Sequence, residues 1–544
     1  MSGFTFRRNR TGQPRAFVHR ALMASSVAAG CFLLAAGCAS PDRQHDAGAQ
    51  YRRTGLDSKS TAALDEFRKS VPPFLRKENI PGGAFALVDE KGLLWAEGFG
   101  DAGGPKRTRV TPDTVFRVLS ISKVVTTMAI LHADQEGLLR LDEPITTYLP
   151  DLWFRSHYEA QPERRITLRH LLSHTSGLQA EPALGNSLEP LGSFEAHIQS
   201  IRGSRLRFPV GTASYYSNGG IDLAAYILQV VSGTPFPEYV RQHLLSPLGM
   251  THSSLTPLRD PTPARRAVGH TLGVIATLHP GPMTGAAGLE TSAADLAQCV
   301  HLLLRQGTAG ETVLLSPASV AAMGTPHAVK VPPDEVATWY GLGAQLRLPA
   351  FGAEARSVRL VRHGGGGAGF SSILYWYPEY GIGGVALANR LPVPELEAFA
   401  LRLPQRFMAE QIAQARDSYR WPEDRRLPGA LEESAGDHLP SPFRSEWQAY
   451  CRTYRLRMTG YDFKWYARWV MGLGIGSVTP AIKVQRRDGG LCLTESKFFD
   501  RVYYRCVRAK LQEVEPGVFY TARGDCLDFT GPVPTYNNYR LQAR

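Results

Sequence analysis

Ser120 and Lys123 lie three residues apart in the stretch Phe116-Arg117-Val118-Leu119-Ser120-Ile121-Ser122-Lys123-Val124-Val125. If a helix starts near Ser120, that spacing puts a hydroxyl and an amine on one face, close enough to exchange a proton. A free serine is a poor nucleophile, and an amine kept partly neutral by desolvation would activate it. The helix N-terminus also offers unpaired N–H groups and a positive dipole end, where an oxyanion could develop. The residues that follow (Val124, Val125, Met128, Ala129, Ile130, Leu131) are apolar on nearly every side and predict a buried helix. On spacing alone an N-cap serine and a snorkelling surface lysine are the better reading, so other residues must decide.

Three further groups carry chemistry. In Arg165-Ile166-Thr167-Leu168-Arg169-His170-Leu171-Leu172-Ser173-His174-Thr175-Ser176-Gly177-Leu178, His170 and His174 are four apart, a spacing that can bind zinc. No glutamate stands beside the first histidine and no third ligand is evident, so both are predicted as satisfied structural histidines, with no metal. Tyr215-Tyr216-Ser217-Asn218 sits in a loop spanning residues 211–220, and His363 is followed by Gly364, Gly365, Gly366 and Gly367.

The elements that must position these groups follow from periodicity. A helix is predicted over 62–77, then strands over 83–89 and 93–98, then the S-x-x-K helix to Gln135. Residues 165–178 read as a helix, as do 221–231, 236–245, the run around Cys299, and 395–416. Strands are predicted over 340–348, 358–362, 371–377 and 383–389, with the glycine run between the second and third. Helices inserted between an early strand pair and a late strand group predict an α+β domain whose sheet closes late. Residues 417–441 read as a linker rich in Pro, Glu, Asp and Arg. Beyond it, alternation and turn signals at Asp488-Gly489-Gly490 and Gly524-Asp525 predict a small β-barrel or sandwich over 442–544.

The first 37 residues stand apart. Arg7, Arg8, Arg10, Arg15 and Arg20 come without an acidic residue, and an apolar run over 21–36 follows. That is the pattern of a signal peptide. It ends in Leu34-Ala35-Ala36-Gly37-Cys38, which resembles a bacterial lipobox with Cys38 as the lipidated residue, although Ala35 replaces the usual leucine. Residues 38–60 then read as a tether, and the expected location is the periplasmic side of a bacterial membrane. Residues 441–544 hold 17 Lys/Arg against 9 Asp/Glu, so the basic surplus of the +12 chain falls mainly in the C-terminal module. No basic–aromatic interleaving points to nucleic acid. Cys451, Cys492, Cys506 and Cys526 cluster in that module, and an even set in an oxidising compartment predicts two disulfides of unassigned connectivity.

The order S-x-x-K, Y-x-N, H-x-G resembles the serine β-lactamase and penicillin-binding-protein superfamily, in its class C β-lactamase, DD-carboxypeptidase and esterase branch. The phrases around His174, Tyr216, Pro247 and Asp295 extend the resemblance over residues 61–416. It implies a β-lactamase/transpeptidase-like domain: an antiparallel sheet flanked by helices, plus an all-helical lobe. Ser120 would be the nucleophile, with Lys123 and Tyr216 sharing its proton. Asn218, His363, Gly364 and Gly365 would meet the substrate, and the backbone N–H groups of Ser120 and Gly366 would form an oxyanion hole. No cofactor is implied. Chance twins at Tyr536/Asn538 and His279-Pro280-Gly281 lack the right order and context. The rival reading of His-Gly-Gly-Gly as an α/β-hydrolase loop fails because the chain has no G-x-S-x-G.

His363 departs from the K-T-G of many β-lactamases. Histidine carries full charge only at lower pH, which favours a peptide or ester over a β-lactam as substrate. The function expected is cleavage of an amide or ester through an acyl-serine. A non-catalytic binder or sensor, and a weak β-lactamase, stay open as alternatives. The basic C-terminal module could contact an anionic wall polymer or lipid surface, or be a plain stabilising addition.

Overall fold

The computed structural model describes residues 50–103, 107–185, 192–256, 266–271, 274–275, 281–329, 338–351, 355–414 and 419, and beyond the linker 445–451, 453–456, 481–487, 490–495, 509–520, 526–530, 535–537 and 539–543. The expected signal peptide, Cys38 and the residues of the linker other than Tyr419 lie outside these.

Strands β1 (Gln50–Arg52), β2 (Gly82–Asp89) and β3 (Gly92–Gly100) come early. Strands β4 (Ala328–Val329), β5 (Thr338–Tyr340), β6 (Gln345–Arg347), β7 (Leu360–Gly367), β8 (Phe370–Tyr377) and β9 (Ile382–Ala388) come late. Among the described residues they form one antiparallel sheet in the order β1-β3-β2-β9-β8-β7-β6-β5-β4. The join is β2 against β9, from Asp89 opposite Ile382 to Gly83 opposite Ala388. The sheet thus closes late, as the helix insertion requires.

Alternation along β2 sends residues to two separate cores. Phe85 and Leu87 face helix α1 (Ser58–Lys77) and the C-terminal helices, where the Phe74 and Phe399 rings stack 3.9 Å apart. Ala84, Ala86 and Val88 face the opposite core, which is built around helix α2 (Ser122–Gln135) and the helical lobe. Every α2 residue from Ser122 to Ala133 is buried, the lysine included.

Four elements differ from their sequence reading. Only α3 (Leu168–Leu172) is helical in the 165–178 stretch. Ser173, Thr175 and Ser176 engage in local side-chain hydrogen bonds that compete with a helix, and His174 turns left-handed at φ +61. The single strand expected over 340–348 is the hairpin β5–β6. Its turn presses on α2, where a Cβ on Gly343 would lie 1.9 Å from Thr127 Oγ1. The helix expected over 395–416 is two, Leu396–Ala400 and Arg402–Gln414. Pro404 cannot donate to the Ala400 carbonyl, which accepts instead from Tyr375 Oη. Finally, the glycine run is strand: Gly364–Gly367 pair with Phe370–Ile373 of β8.

In the C-terminal module β10 (Thr453–Leu456), β11 (Ala481–Arg487), β12 (Gly490–Glu495), β13 (Ala509–Glu515), β14 (Val518–Tyr520), β15 (Cys526–Asp528), β16 (Thr535–Tyr536) and β17 (Tyr539–Ala543) close into a barrel. The two-disulfide expectation is corrected here: Cys451 and Cys526 carry thiols. Cys526 is 4% exposed, on the same barrel face as its ladder partner Tyr520, and burial pushes its thiol up to about 12. Cys506 and the Cys492 side chain lie outside the described residues.

Candidate active site

Ser120 sits in a single 3-10 turn, Leu119–Ile121, immediately before α2. Leu119 adopts φ +48, a conformation that costs a branched residue about 1–2 kcal/mol. The turn is tied down on both sides: the Val118 N–H donates to the Leu289 carbonyl, and Ser122 Oγ donates to the Leu119 carbonyl. Ser120 itself is half-buried.

Three of the sequence-predicted residues converge. Ser120 Oγ lies 3.1 Å from Lys123 Nζ and 2.9 Å from Tyr216 Oη. Lys123 is fully buried, and its amine also donates to the Ala286 carbonyl at 2.8 Å. Burial lowers its pKa to about 7, against the opposing pull of the Asp222 and Glu181 charges. An amine that is substantially neutral near pH 7 can take a proton from a serine.

Tyr216 is held by helix α4 (Asn218–Ser232), whose N-cap Ser217 accepts from the Gly220 N–H and donates to the Gln179 carbonyl. Asn218 donates from Nδ2 to Glu181 Oε1 at 3.1 Å. His174 corrects its structural reading. Its Nδ1 accepts from the Ser217 N–H, while Nε2 is buried without a partner among the described residues. Its ring packs 4.6 Å from Tyr216 and 4.5 Å from Tyr340. Burial first, then the Lys123 and His363 charges, hold it well below the usual histidine range, so it stays neutral. His170 does cap a helix, its Nδ1 accepting from the Thr167 N–H in a reciprocal capping box.

His363 is 1% exposed. Its Nδ1 donates to the Gly364 carbonyl and its Nε2 accepts from Tyr340 Oη at 2.9 Å. Tyr340 remains a donor, because burial raises its pKa well above the ordinary tyrosine value. The predicted substrate-facing histidine therefore braces the site from inside, its ring 6.3 Å from that of Tyr216. The β6 ladder reaches β7 only as far as Arg362, so Gly364–Gly367 extend past it beside the Ser120 turn. Ser372 Oγ donates to the Val118 carbonyl, joining β8 to that turn. Gly365 permits this approach, since a Cβ there would lie 2.0 Å from the Val118 oxygen. Gly366, the predicted second oxyanion donor, is on the same extension.

The sequence profile of the Beta-lactamase family matches residues 67–405, more than half of the chain and all of this site. The chain belongs to the beta-lactamase family. Its relatives include proteins named as penicillin-binding-protein-like. It is 31% identical over 205 residues to Protein flp of Staphylococcus aureus strain N315, covering 37% of this chain and 39% of the relative. It is 27% identical over 252 residues to the putative penicillin-binding protein PbpX of Bacillus subtilis strain 168, covering 45% and 60%. The matches thus span less than two thirds of these relatives' lengths. Among solved structures, SurE with D-Leu shares the fold at TM-score 0.54 and 22% identity, covering 90% of this chain and 100% of that one. A class C β-lactamase from Rhodobacter sphaeroides does so at 0.52 and 22%, covering 65% and 100%.

Sequence reasoning missed the groups behind this beta-lactamase-family site. Asp222 is fully buried in α4 and accepts from the Gly285 and Ala286 N–H groups at 2.8 and 2.9 Å. These open the short helix α5 (Thr284–Ala287), whose Ala286 carbonyl holds Lys123. An aspartate inside the apolar run Ile221-Asp222-Leu223-Ala224 was the available signal, because such charges are rarely buried unpaired.

Proposed function

We propose that the chain hydrolyses an amide or ester through an acyl-serine, with DD-peptidase-like or esterase-like specificity. The observation that carries this is the meeting of Lys123 Nζ and Tyr216 Oη on Ser120 Oγ. Ser120 Oγ attacks the substrate carbonyl while its proton passes to the Lys123–Tyr216 pair. The N–H groups of Ser120 and Gly366 receive the oxyanion. Collapse expels the amine or alcohol, which takes the proton back through Tyr216. Water, deprotonated by the same pair, then cleaves the acyl-enzyme and regenerates Ser120.

A cell-wall peptide is the favoured substrate class. One of the solved fold neighbours is titled a β-lactamase/D-alanine carboxypeptidase from Pseudomonas syringae. The buried histidine in place of a K-T-G lysine speaks against efficient β-lactamase action. Export and lipidation at Cys38 belong to the same proposal and rest on the lipobox-like residues alone.

The test is intact-mass spectrometry of the fragment from residue 39 after brief exposure to a fluorophosphonate and, separately, a penicillin, with Ser120→Ala alongside. A long-lived penicillin adduct supports a peptidoglycan peptidase, and a fluorophosphonate adduct without one supports an esterase. No adduct from either reagent overturns the catalytic reading in favour of a binder.

A further inference from the structure

Behind Lys123 lies a buried ion pair that the acyl-transfer scheme does not use. His197, on the short helix Phe194–Gln199, and Asp222 are both fully buried, with His197 Nε2 3.1 Å from Asp222 Oδ2. His197 Nδ1 lies 2.8 Å from the Leu184 carbonyl. A carbonyl and a carboxylate only accept, so both ring nitrogens must carry hydrogen and the imidazole is a cation. The other Asp222 oxygen, Oδ1, takes the two N–H groups that open α5. Thr126 of α2 donates to the Gly285 carbonyl of the same turn at 2.7 Å. The Ala286 carbonyl then takes the Lys123 amine.

We propose that the His197–Asp222 pair is a positioning device for Lys123: Asp222 sets the Ala286 carbonyl that aims the amine at Ser120, and His197 limits how much negative charge the amine feels. This rests on the reading of Ser120 and Lys123 as nucleophile and base. An isolated carboxylate so close would hold the amine in its charged form, useless as a base. A carboxylate shared with a cation keeps its grip on the two N–H groups while its field at Lys123 is cut.

The charges involved are consistent with that division. Burial disfavours a charged His197, but its hydrogen bond to Asp222 and that carboxylate's charge outweigh this and raise its pKa. The titratable groups facing Lys123 are Ser120 and Tyr216 on the open side, His174 beneath Tyr216, Asp222, and Glu181, which acts on both Lys123 and His197. His174 is neutral. Among the described residues Glu181 is therefore the one other carboxylate here, and it is left intact in the test.

The test is the pH dependence of the second-order rate of Ser120 labelling by a fluorophosphonate, in wild type, Asp222→Asn and His197→Gln. Asparagine keeps an oxygen for both N–H groups and presents its amide to a now neutral His197. Lys123 should lose its proton more readily, and the acidic limb should move to lower pH by about half a unit or more. Glutamine at 197 removes the cation but not the carboxylate, so the limb should move upward by a similar amount. Opposite shifts support the proposal. Equal limbs with lowered rates, or shifts of one sign, overturn it and leave the pair a structural support. Imidazole 15N NMR of the full wild-type chain gives a reading that needs no variant. One ring still doubly protonated at about pH 8 is expected, and all rings neutral there overturns the proposal. Absence of labelling in wild type would instead overturn the catalytic reading itself.

Discussion

Lys123 Nζ lies 4.8 Å from the centre of the Tyr216 ring, while the Tyr216 hydroxyl and that same amine both reach Ser120 Oγ. The ring face favours a charged amine and burial favours a neutral one. Burial wins, because the lysine sits at about 7 rather than near its ordinary value.

Acylation should therefore rise with pH through about 7 and level off above it, since the active form is the deprotonated amine. Stopped-flow labelling across pH 5 to 9, a range of about two units either side, checks this. A limb near the ordinary lysine value would show that the amine is not desolvated in solution.

Lys123→Met should lower the acylation rate by about 10³-fold with little change in melting temperature. The dry site accepts an apolar chain of similar length without the cost of a buried amine, which offsets the donor lost by the Ala286 carbonyl. A large fall in melting temperature would show that the amine is mainly structural.

Two neighbouring glycines should behave differently. Gly365→Ala places a Cβ 2.0 Å from the Val118 oxygen and 2.5 Å from Ser372 Oγ, so strand and nucleophile turn must part. That should cost about 1–3 kcal/mol and most of the activity. Gly366→Ala meets only Leu391 Cδ1, at 3.4 Å, and should fold as well as wild type. Thermal melts and labelling rates of the pair separate the two cases.

The barrel is docked on the segment that braces Tyr216. Arg205, its side chain 9% exposed, binds Glu515 through both terminal nitrogens and Asp528 through Nε, and Tyr520 Oη donates to the Leu206 carbonyl. The next residue, Arg207, lies 3.6 Å over the Tyr215 ring and donates to Gln179, whose carbonyl accepts from Ser217. Arg205→Ala should destabilise the chain by about 1–3 kcal/mol, because it removes the bidentate partner of Glu515 and leaves Asp528 with the longer 3.8 Å contact to Arg155. It should also lower kcat more than it raises KM. Calorimetry and ester kinetics check both, and an unchanged kcat would make the barrel an independent addition.

The spacing of Ser120 and Lys123, the apolar run behind them and the order of the three motifs were legible in the sequence, because they are local or ordinal properties of the chain. So were the early strand pair, the late strands and the β-pattern of the C-terminal module, which follow from periodicity. The strand character of the glycine run was not legible, since its pairing energy comes from Phe370–Ile373 on β8 and glycine alone has no strand preference. Nor was the inward turn of His363, which needs Tyr340 from a different strand. The His197–Asp222 pair joins residues whose separation in sequence carries no periodic signal. Only folding places them together, where low polarity makes an unpaired charge too costly to keep and so decides which side chains must meet.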